Sequence, residues 1–203
     1  MGRKPTSNKA NRSETAPSQL RVIGGQWRGR KLDFKAAEGL RPTPDRVRET
    51  LFNWLQPYIP GAKCLDLFSG TGALGIEALS RGADHTTFVE LNRSSAQQLS
   101  NNLNVLKTHQ AEVIQADVLD WLKQLTAPSN QYDVVFMDPP FRKDLVAECC
   151  SWLEEQQLLS EQAVIYIETE SELVHIPLPS HWREHRQKQA GQVCYRLFIR
   201  EPQ

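Results

Sequence analysis

The chain has 203 residues, with 24 Lys and Arg balancing 24 Asp and Glu, so its formal net charge is zero. That length suits one domain with a real core and leaves little room for a second catalytic domain. No apolar run approaches the ~20 residues of a membrane span, and the opening MGRKPTSNKANRSETAPSQ lacks an apolar signal core, so a cytoplasmic protein is expected.

The four cysteines form no CxxC and the five histidines no HExxH, so no disulfide framework and no metal site is expected. The neutral total hides an asymmetry. Residues 1–60 carry 12 Lys/Arg against 5 Asp/Glu, while residues 61–203 carry 12 against 19. A basic N-terminal third on an acidic body points to a polyanionic partner; a solvated basic tail is the plainer alternative for residues 1–19.

Residues 1–19 are polar and free of aromatics and read as a disordered basic tail. Residues 20–60 form a distinct N-terminal unit. In LRVIGGQWRGRKLDF, Val22 and Ile23 precede Gly24-Gly25, and Trp27, Leu32 and Phe34 follow, which predicts a short hairpin. It carries Arg21, Arg28, Arg30 and Lys31 around Trp27, a pattern suited to phosphate contacts and base stacking, although an ordinary exposed hairpin reads the same way. In GLRPTPDRVRETLFNWLQPYIPG, Thr43 caps a helix with Pro44 at its first position, and Val47, Leu51, Trp54 and Leu55 form its apolar stripe. Arg41, Arg46 and Arg48 would join the hairpin's cations on one nucleic-acid surface.

From residue 61 strands and helices alternate: strand Cys64–Phe68, helix Ala73–Arg81, strand Thr86–Glu90, and a helix capped by Asn92 that runs to Lys107. Strand Glu112–Gln115, helix Val118–Leu125, strand Tyr132–Asp138, helix Asp144–Glu155 and strand Ala163–Glu168 follow. This rhythm predicts an α/β fold, a parallel sheet with helices on both faces. Trp182–Lys188 and Val193–Arg200 flank Ala190-Gly191-Gln192 and predict a closing antiparallel hairpin, an unusual ending for a nicotinamide-binding fold.

Two stretches carry chemistry. Asp66-Leu67-Phe68-Ser69-Gly70-Thr71-Gly72-Ala73-Leu74-Gly75 places GxGxxG where the first body strand meets a helix, and no Gly-Lys-Ser/Thr follows, which excludes a triphosphate P-loop. NAD and S-adenosylmethionine both fit such a loop. Glu90 can take ribose hydroxyls of either; Asp66, near the loop, and Asp117, placed to accept from an adenine amine, tip the reading toward a sulfonium cation. The second stretch is YDVVFMDPPF. A buried strand stops at Asp138-Pro139-Pro140-Phe141, which sets a carboxylate, carbonyls without competing N–H donors and an aromatic face side by side. That arrangement suits a planar base carrying an NH2 group.

LDLFSGTGALGIEALSRGA followed by VVFMDPPF resembles the class I methyltransferases that act on exocyclic amino groups. Taken with RVIGGQWRGRKL, LRPTPDRVRETLFNWL and AGQVCYRLF, it is similar over residues 20–200 to the bacterial 16S rRNA guanine-N2 methyltransferases of the RsmD type. The resemblance implies a Rossmann-like domain over 61–203 with a seven-stranded, mainly parallel sheet. It implies S-adenosylmethionine as donor, S-adenosylhomocysteine as product, and one guanine, numbered 966 in 16S rRNA, as acceptor. It also suggests a substrate met within an assembling or complete 30S particle. The expected cofactor set is Asp66, Phe68, Gly70, Gly72, Gly75, Glu90, Asp117 and Asp138; the catalytic set is Asp138, Pro139, Pro140 and Phe141. A monomer is expected. A DNA amino-methyltransferase and a non-catalytic RNA-binding assembly factor are the rival readings, and a small NAD oxidoreductase lacks a Tyr-x-x-x-Lys or catalytic His.

Overall fold

The computed structural model describes residues 18–34, 44–125 and 131–202. The N-terminal hairpin pairs β1 (Ser18–Arg21) with β2 (Lys31–Phe34), Leu20 opposite Leu32. Alternation along these strands buries Leu20, Leu32 and Phe34 and leaves Arg21, Lys31 and Asp33 in solvent. Ser18 and Gln19, expected in the tail, already belong to β1. Helix α1 (Asp45–Leu55) comes next, and Pro44 is the residue before it rather than its first. Thr43, Arg41 and most of the expected tail lie outside the described residues.

The body follows the predicted alternation. It runs β3 (Lys63–Asp66), α2 (Ala73–Ser80), β4 (His85–Glu90), α3 (Arg93–Leu106), β5 (Ala111–Gln115), α4 (Val118–Gln124), β6 (Tyr132–Met137) and α5 (Leu145–Glu155). Then come β7 (Leu159–Glu170), β8 (Trp182–Ala190) and β9 (Val193–Arg200). Seven strands form one sheet in the order β5-β4-β3-β6-β7-β9-β8, parallel through β7 and antiparallel at β9 and β8. Strand β7 starts at Leu159 rather than Ala163, because Leu159 pairs with Tyr132 ahead of an irregularity in the ladder.

Each face of the sheet buries its own apolar layer. Helices α1, α2 and α3 and the hairpin cover one face over Cys64, Phe88, Val134, Phe136 and Tyr166. Helices α4 and α5 cover the other over Leu65, Val89, Val135, Met137 and Ile167. Successive residues of β3, β4, β6 and β7 serve opposite faces, so the buried stretches Cys64–Leu65, Phe88–Val89, Val134–Met137 and Ala163–Ile167 read as apolar runs without alternation.

The hairpin and α1 are built into the first layer through a buried charge cluster. Glu77 of α2, 1% exposed, accepts from the backbone N–H of Ile23 (2.8 Å) and Gly24 (2.7 Å) and from Arg81 Nε (2.7 Å). Arg48 of α1, also 1% exposed, lies 3.8 Å from Glu77 and donates to the Arg21 carbonyl (2.9 Å) and to Asp45 (2.6 Å). Arg48 was expected on an RNA-facing surface and is a buried pin instead. It stands three and four residues before Leu51 and Phe52, both fully buried, and so shares their helical stripe.

Candidate active site at the carboxyl ends of the parallel strands

The strand order reverses between β3 and β6, since the chain builds outward through β4 and β5 and then returns to β6. Loops leaving two adjacent parallel strands at such a point diverge and open a crevice. Here those loops are the glycine loop after β3 and the Asp-Pro-Pro-Phe turn after β6. Both chemical motifs therefore share one edge of the sheet.

The loop is fixed mostly through its backbone. Leu67 N–H bonds the Phe136 carbonyl (3.1 Å) and Ser69 N–H the Val89 carbonyl (3.0 Å). Gly70 and Gly72 have φ of +50° and +77°, left-handed values that suit glycine, and Gly72 stands immediately before α2. Gly75 does a different job. A Cβ there would lie 2.2 Å from the Phe88 ring, so its bareness lets α2 sit close to the sheet.

Carboxylates ring this loop. Glu90, at the end of β4, accepts from Gly70 N–H (2.7 Å) and Asn92 N–H (2.7 Å), and so joins the glycine turn to the start of α3. Asp66 is buried beneath the loop and accepts from Gly75 N–H (3.0 Å). Burial, with the Glu90 charge adding, pushes its carboxyl up to about 7 against the opposing pull of that N–H. Asp117 caps α4 through one oxygen, taking Leu119 N–H (2.9 Å) and Asp120 N–H (3.2 Å), while the residue stays exposed. Phe68 is half-buried against the second apolar layer. No Lys or Arg occurs from residue 64 to residue 80. This acidic, lysine-free cradle fits a cationic cofactor better than a pyrophosphate.

Across the crevice, Asp138 follows β6. Its carboxyl is held well above the usual range, first by burial and then by the charges of Glu168 and Asp66. Pro139 is buried, Pro140 is exposed, and Phe141 stands 40% exposed at the rim. Arg142 and Asp144 both take left-handed φ, +60° and +53°, which is uncommon for residues with side chains and frequent where a turn serves a site. Beside the turn opens a cavity of about 250 Å³ lined by Pro139, Pro140, Lys143, Val146, Glu168 and Leu173 among others. It is below the roughly 300–1,000 Å³ of drug-sized pockets, the scale of one ring system rather than a dinucleotide.

The expected RNA-binding residues separate. Arg30 reaches the Val105 carbonyl near the end of α3 (3.2 Å), and Trp27 N–H bonds the Ser80 hydroxyl at the end of α2 (3.0 Å). The hairpin tip, with Arg28, therefore lies at the far ends of helices whose first residues stand at the crevice. Trp27 is half-buried against the first apolar layer. Arg46 is exposed in the first turn of α1 and acts electrostatically on Tyr195, whose partner in the ladder is Glu168 near the crevice. Arg142 and Lys143, exposed on the cavity wall, were missed; their place immediately after Asp-Pro-Pro-Phe was the available signal. Glu168 was read only as the end of a strand.

A family model described as "Conserved hypothetical protein 95" matches residues 20–199. The chain is 50% identical over 191 residues to Ribosomal RNA small subunit methyltransferase D of Escherichia coli, covering 94% of this chain and 95% of that one. The chain belongs to the RsmD family. It is also 50% identical over 194 residues to the Haemophilus influenzae protein of the same name, covering 94% and 98%. Among solved structures, the yhhF protein of Escherichia coli superposes with a TM-score of 0.84 at 50% identity, over 92% of this chain and 100% of that one. SMU.776, complexed with SAH, shares the fold at 19% identity and a TM-score of 0.66, over 91% of this chain and 56% of that one. The chain has the class I methyltransferase fold expected from its motifs, closing hairpin included. Among the described residues, no three His, Cys, Asp or Glu are grouped to hold a metal ion, and no helix is long and apolar enough to cross a membrane.

Proposed function

We propose that this protein transfers a methyl group from S-adenosylmethionine to the exocyclic N2 of a guanine in 16S rRNA, within an assembling or complete small-subunit particle. The observation that carries the reading is the convergence of the acidic glycine crevice and the Asp138–Phe141 turn at the single switch point of the sheet. The names of its half-identical relatives support a small-subunit RNA substrate, and the SAH bound to a protein of the same fold supports the donor.

Gly70 and Gly72 would let the donor approach the start of α2, Glu90 would hold its ribose, and Asp117 would accept from its adenine amine through the oxygen not engaged in capping. The donor supplies an electrophilic methyl carbon on a sulfonium. The chain's task is to present a weak nucleophile. Guanine N2 is delocalised into its ring, so Asp138 and the Pro139 carbonyl accept its two hydrogens and turn its lone pair outward. Phe141 stacks on the extruded base, which excludes water and fixes the plane. Asp138 or water takes the proton that the methylated nitrogen sheds.

The reading carries with it a cytoplasmic enzyme that acts as a monomer. The rival amino-group substrate is DNA, whose adenine and cytosine amines the same turn could hold. The deciding experiment offers labelled S-adenosylmethionine with unmodified small-subunit particles, naked 16S RNA or duplex DNA, and maps the label by mass spectrometry. N2-methylguanine at one position of the particle RNA is the expected product. Label in DNA, or none in any substrate, rejects the proposal.

A further inference from the structure

Strand β8 closes one edge of the sheet, and its ladder with β9 slips by one residue between Glu184 and Arg186. The slip decides where its cations go. Trp182 belongs to the apolar layer under α4 and α5, so strict alternation would send Arg186 and Lys188 to that same side. The extra residue reverses them. Arg186 pairs with Leu197 and Lys188 with Tyr195, and both partners belong to the layer under α1. Arg183, ahead of the slip, pairs with Ile199, which packs against that layer too. Three cations therefore share one face of the edge strand, while the other face carries Glu184, Gln187 and Gln189.

That face is the one on which Asp138 works. The two charges that bear on the Asp138 carboxyl come from Glu168 and Asp66. Asp66 pairs with Phe136 and Glu168 with Tyr195, so both stand on the α1 side. Met137 pairs with Ile167, which brings Asp138 level with Glu168. Asp138, Glu168, Tyr195 and Lys188 thus lie in one row across the sheet. At about 4.8 Å per strand, Lys188 is roughly 14 Å from Asp138. Arg46 stands over the interval: it is exposed at the start of α1, and its charge acts on Tyr195, the residue beside Lys188 in the row. From Lys188 the line of charge continues along β8 to Arg186. Both are exposed and pair with no carboxylate among the described residues, whereas Arg183 bonds Glu201 (2.7 Å).

Edge strands often carry cations merely to discourage pairing with another chain. A charge on either face serves that purpose, so it does not account for a slip that gathers the cations on one. We propose that Arg46, Lys188 and Arg186 form a track for the sugar-phosphate backbone of the substrate RNA, gripping phosphates beyond the two that flank the target base. Cations strung along an open face suit a flexible single strand, whose charge they hold without reading its sequence. The proposal rests on the RNA reading above and names the path by which the strand leaves the site.

The test uses the full-length protein and unmodified small-subunit particles. Arg186→Gln with Lys188→Gln should raise the particle KM by about tenfold and lower the slope of log affinity against log salt by about 1 to 2. Its kcat and its affinity for S-adenosylhomocysteine should stay the same. Arg186→Lys with Lys188→Arg, which keeps the charges, should restore both quantities. Single methylphosphonate linkages, each removing one phosphate charge, are then placed in turn around the mapped nucleotide of reconstituted particles. At one or more positions beyond the flanking pair the wild type should lose affinity several-fold, and the double glutamine variant should not. A folded variant with the wild-type KM and salt slope overturns the proposal, even if it aggregates, since only edge protection is then left. A raised KM that couples to no methylphosphonate position overturns it too, because the cations would then meet a protein of the particle. Should the pair fail to fold, Lys188→Gln alone is read by the same criteria. Wild-type enzyme that leaves unmodified particles unlabelled rejects the methylation reading itself, a result the control gives before any variant is compared.

Discussion

In the proposed role Asp138 accepts from the amine most strongly as a carboxylate, yet burial, Glu168 and Asp66 all favour its neutral form. A carboxyl raised in this way gains its working charge only as pH climbs through the raised value, so kcat/KM should rise from mildly acidic toward alkaline pH instead of levelling off near pH 5. Asp138→Asn should flatten that limb and Asp138→Ala should cut kcat by about 100- to 1,000-fold, with the affinity for S-adenosylhomocysteine nearly intact. A pH profile already flat above pH 5 in the wild type, or full turnover by the alanine variant, would remove Asp138 from the chemistry. The place of Asp138 at the end of a buried strand was legible in the sequence, because an apolar run closed by two prolines marks where the strand stops. That of Glu168 was not, since a lone glutamate closing a strand has no motif; its place beside Asp138 comes from the register with β6, which only pairing supplies.

At the scale of elements, the alternation of β3 to β7 with their helices was readable because the strands carry short apolar runs such as Val134–Met137 and Ala163–Ile167 and Asn92 caps α3 as expected, accepting from Ser95 N–H (3.0 Å). What the sequence concealed was the union of the N-terminal hairpin, α1 and α2. Arg48 read as a cation on the exposed face of its helix and Glu77 carried no reading, while the backbone groups they bind, Arg21 for Arg48 and Ile23 and Gly24 for Glu77, lie 27, 54 and 53 residues away in the chain. Each of the two charges keeps a second partner, Arg81 for Glu77 and Asp45 for Arg48, so removing one weakens the compensation of the other, and the cost falls at or below the low end of the roughly 3–5 kcal/mol typical of a broken buried pair. Glu77→Gln should therefore lower the unfolding free energy by about 1–3 kcal/mol, read from a urea midpoint that moves down at unchanged m. Combining it with Arg48→Met should cost less than the sum of the two single changes, because the stranded charge is gone. Single changes worth under about 1 kcal/mol, or strict additivity, would show that apolar contacts such as Leu20 and Leu32 hold the hairpin without the charges.

Over the whole molecule, the switch point sets which surface can meet RNA while the chemistry is under way. Helix α3 has 14 residues, so at ~1.5 Å per residue its two ends are about 21 Å apart. Arg28 and Arg30 belong with its last turn, and Arg142 and Lys143 with the cavity at the opposite edge. The phosphates flanking an extruded base lie within one or two nucleotides of it, well inside that span. Cations at the cavity are thus the ones placed to neutralise them. Arg142→Ala with Lys143→Ala should raise the particle KM and lower the slope of log affinity against log salt by about 1 to 2, at roughly 0.7–0.9 per phosphate contact. Arg28→Ala with Arg30→Ala should move both quantities less. Measuring KM for small-subunit particles at several salt concentrations compares the two pairs directly. The reverse ranking would mean that the RNA path runs down the face of α2 and α3 to the hairpin tip, and that the basic N-terminal third grips the particle at a distance from the base it modifies.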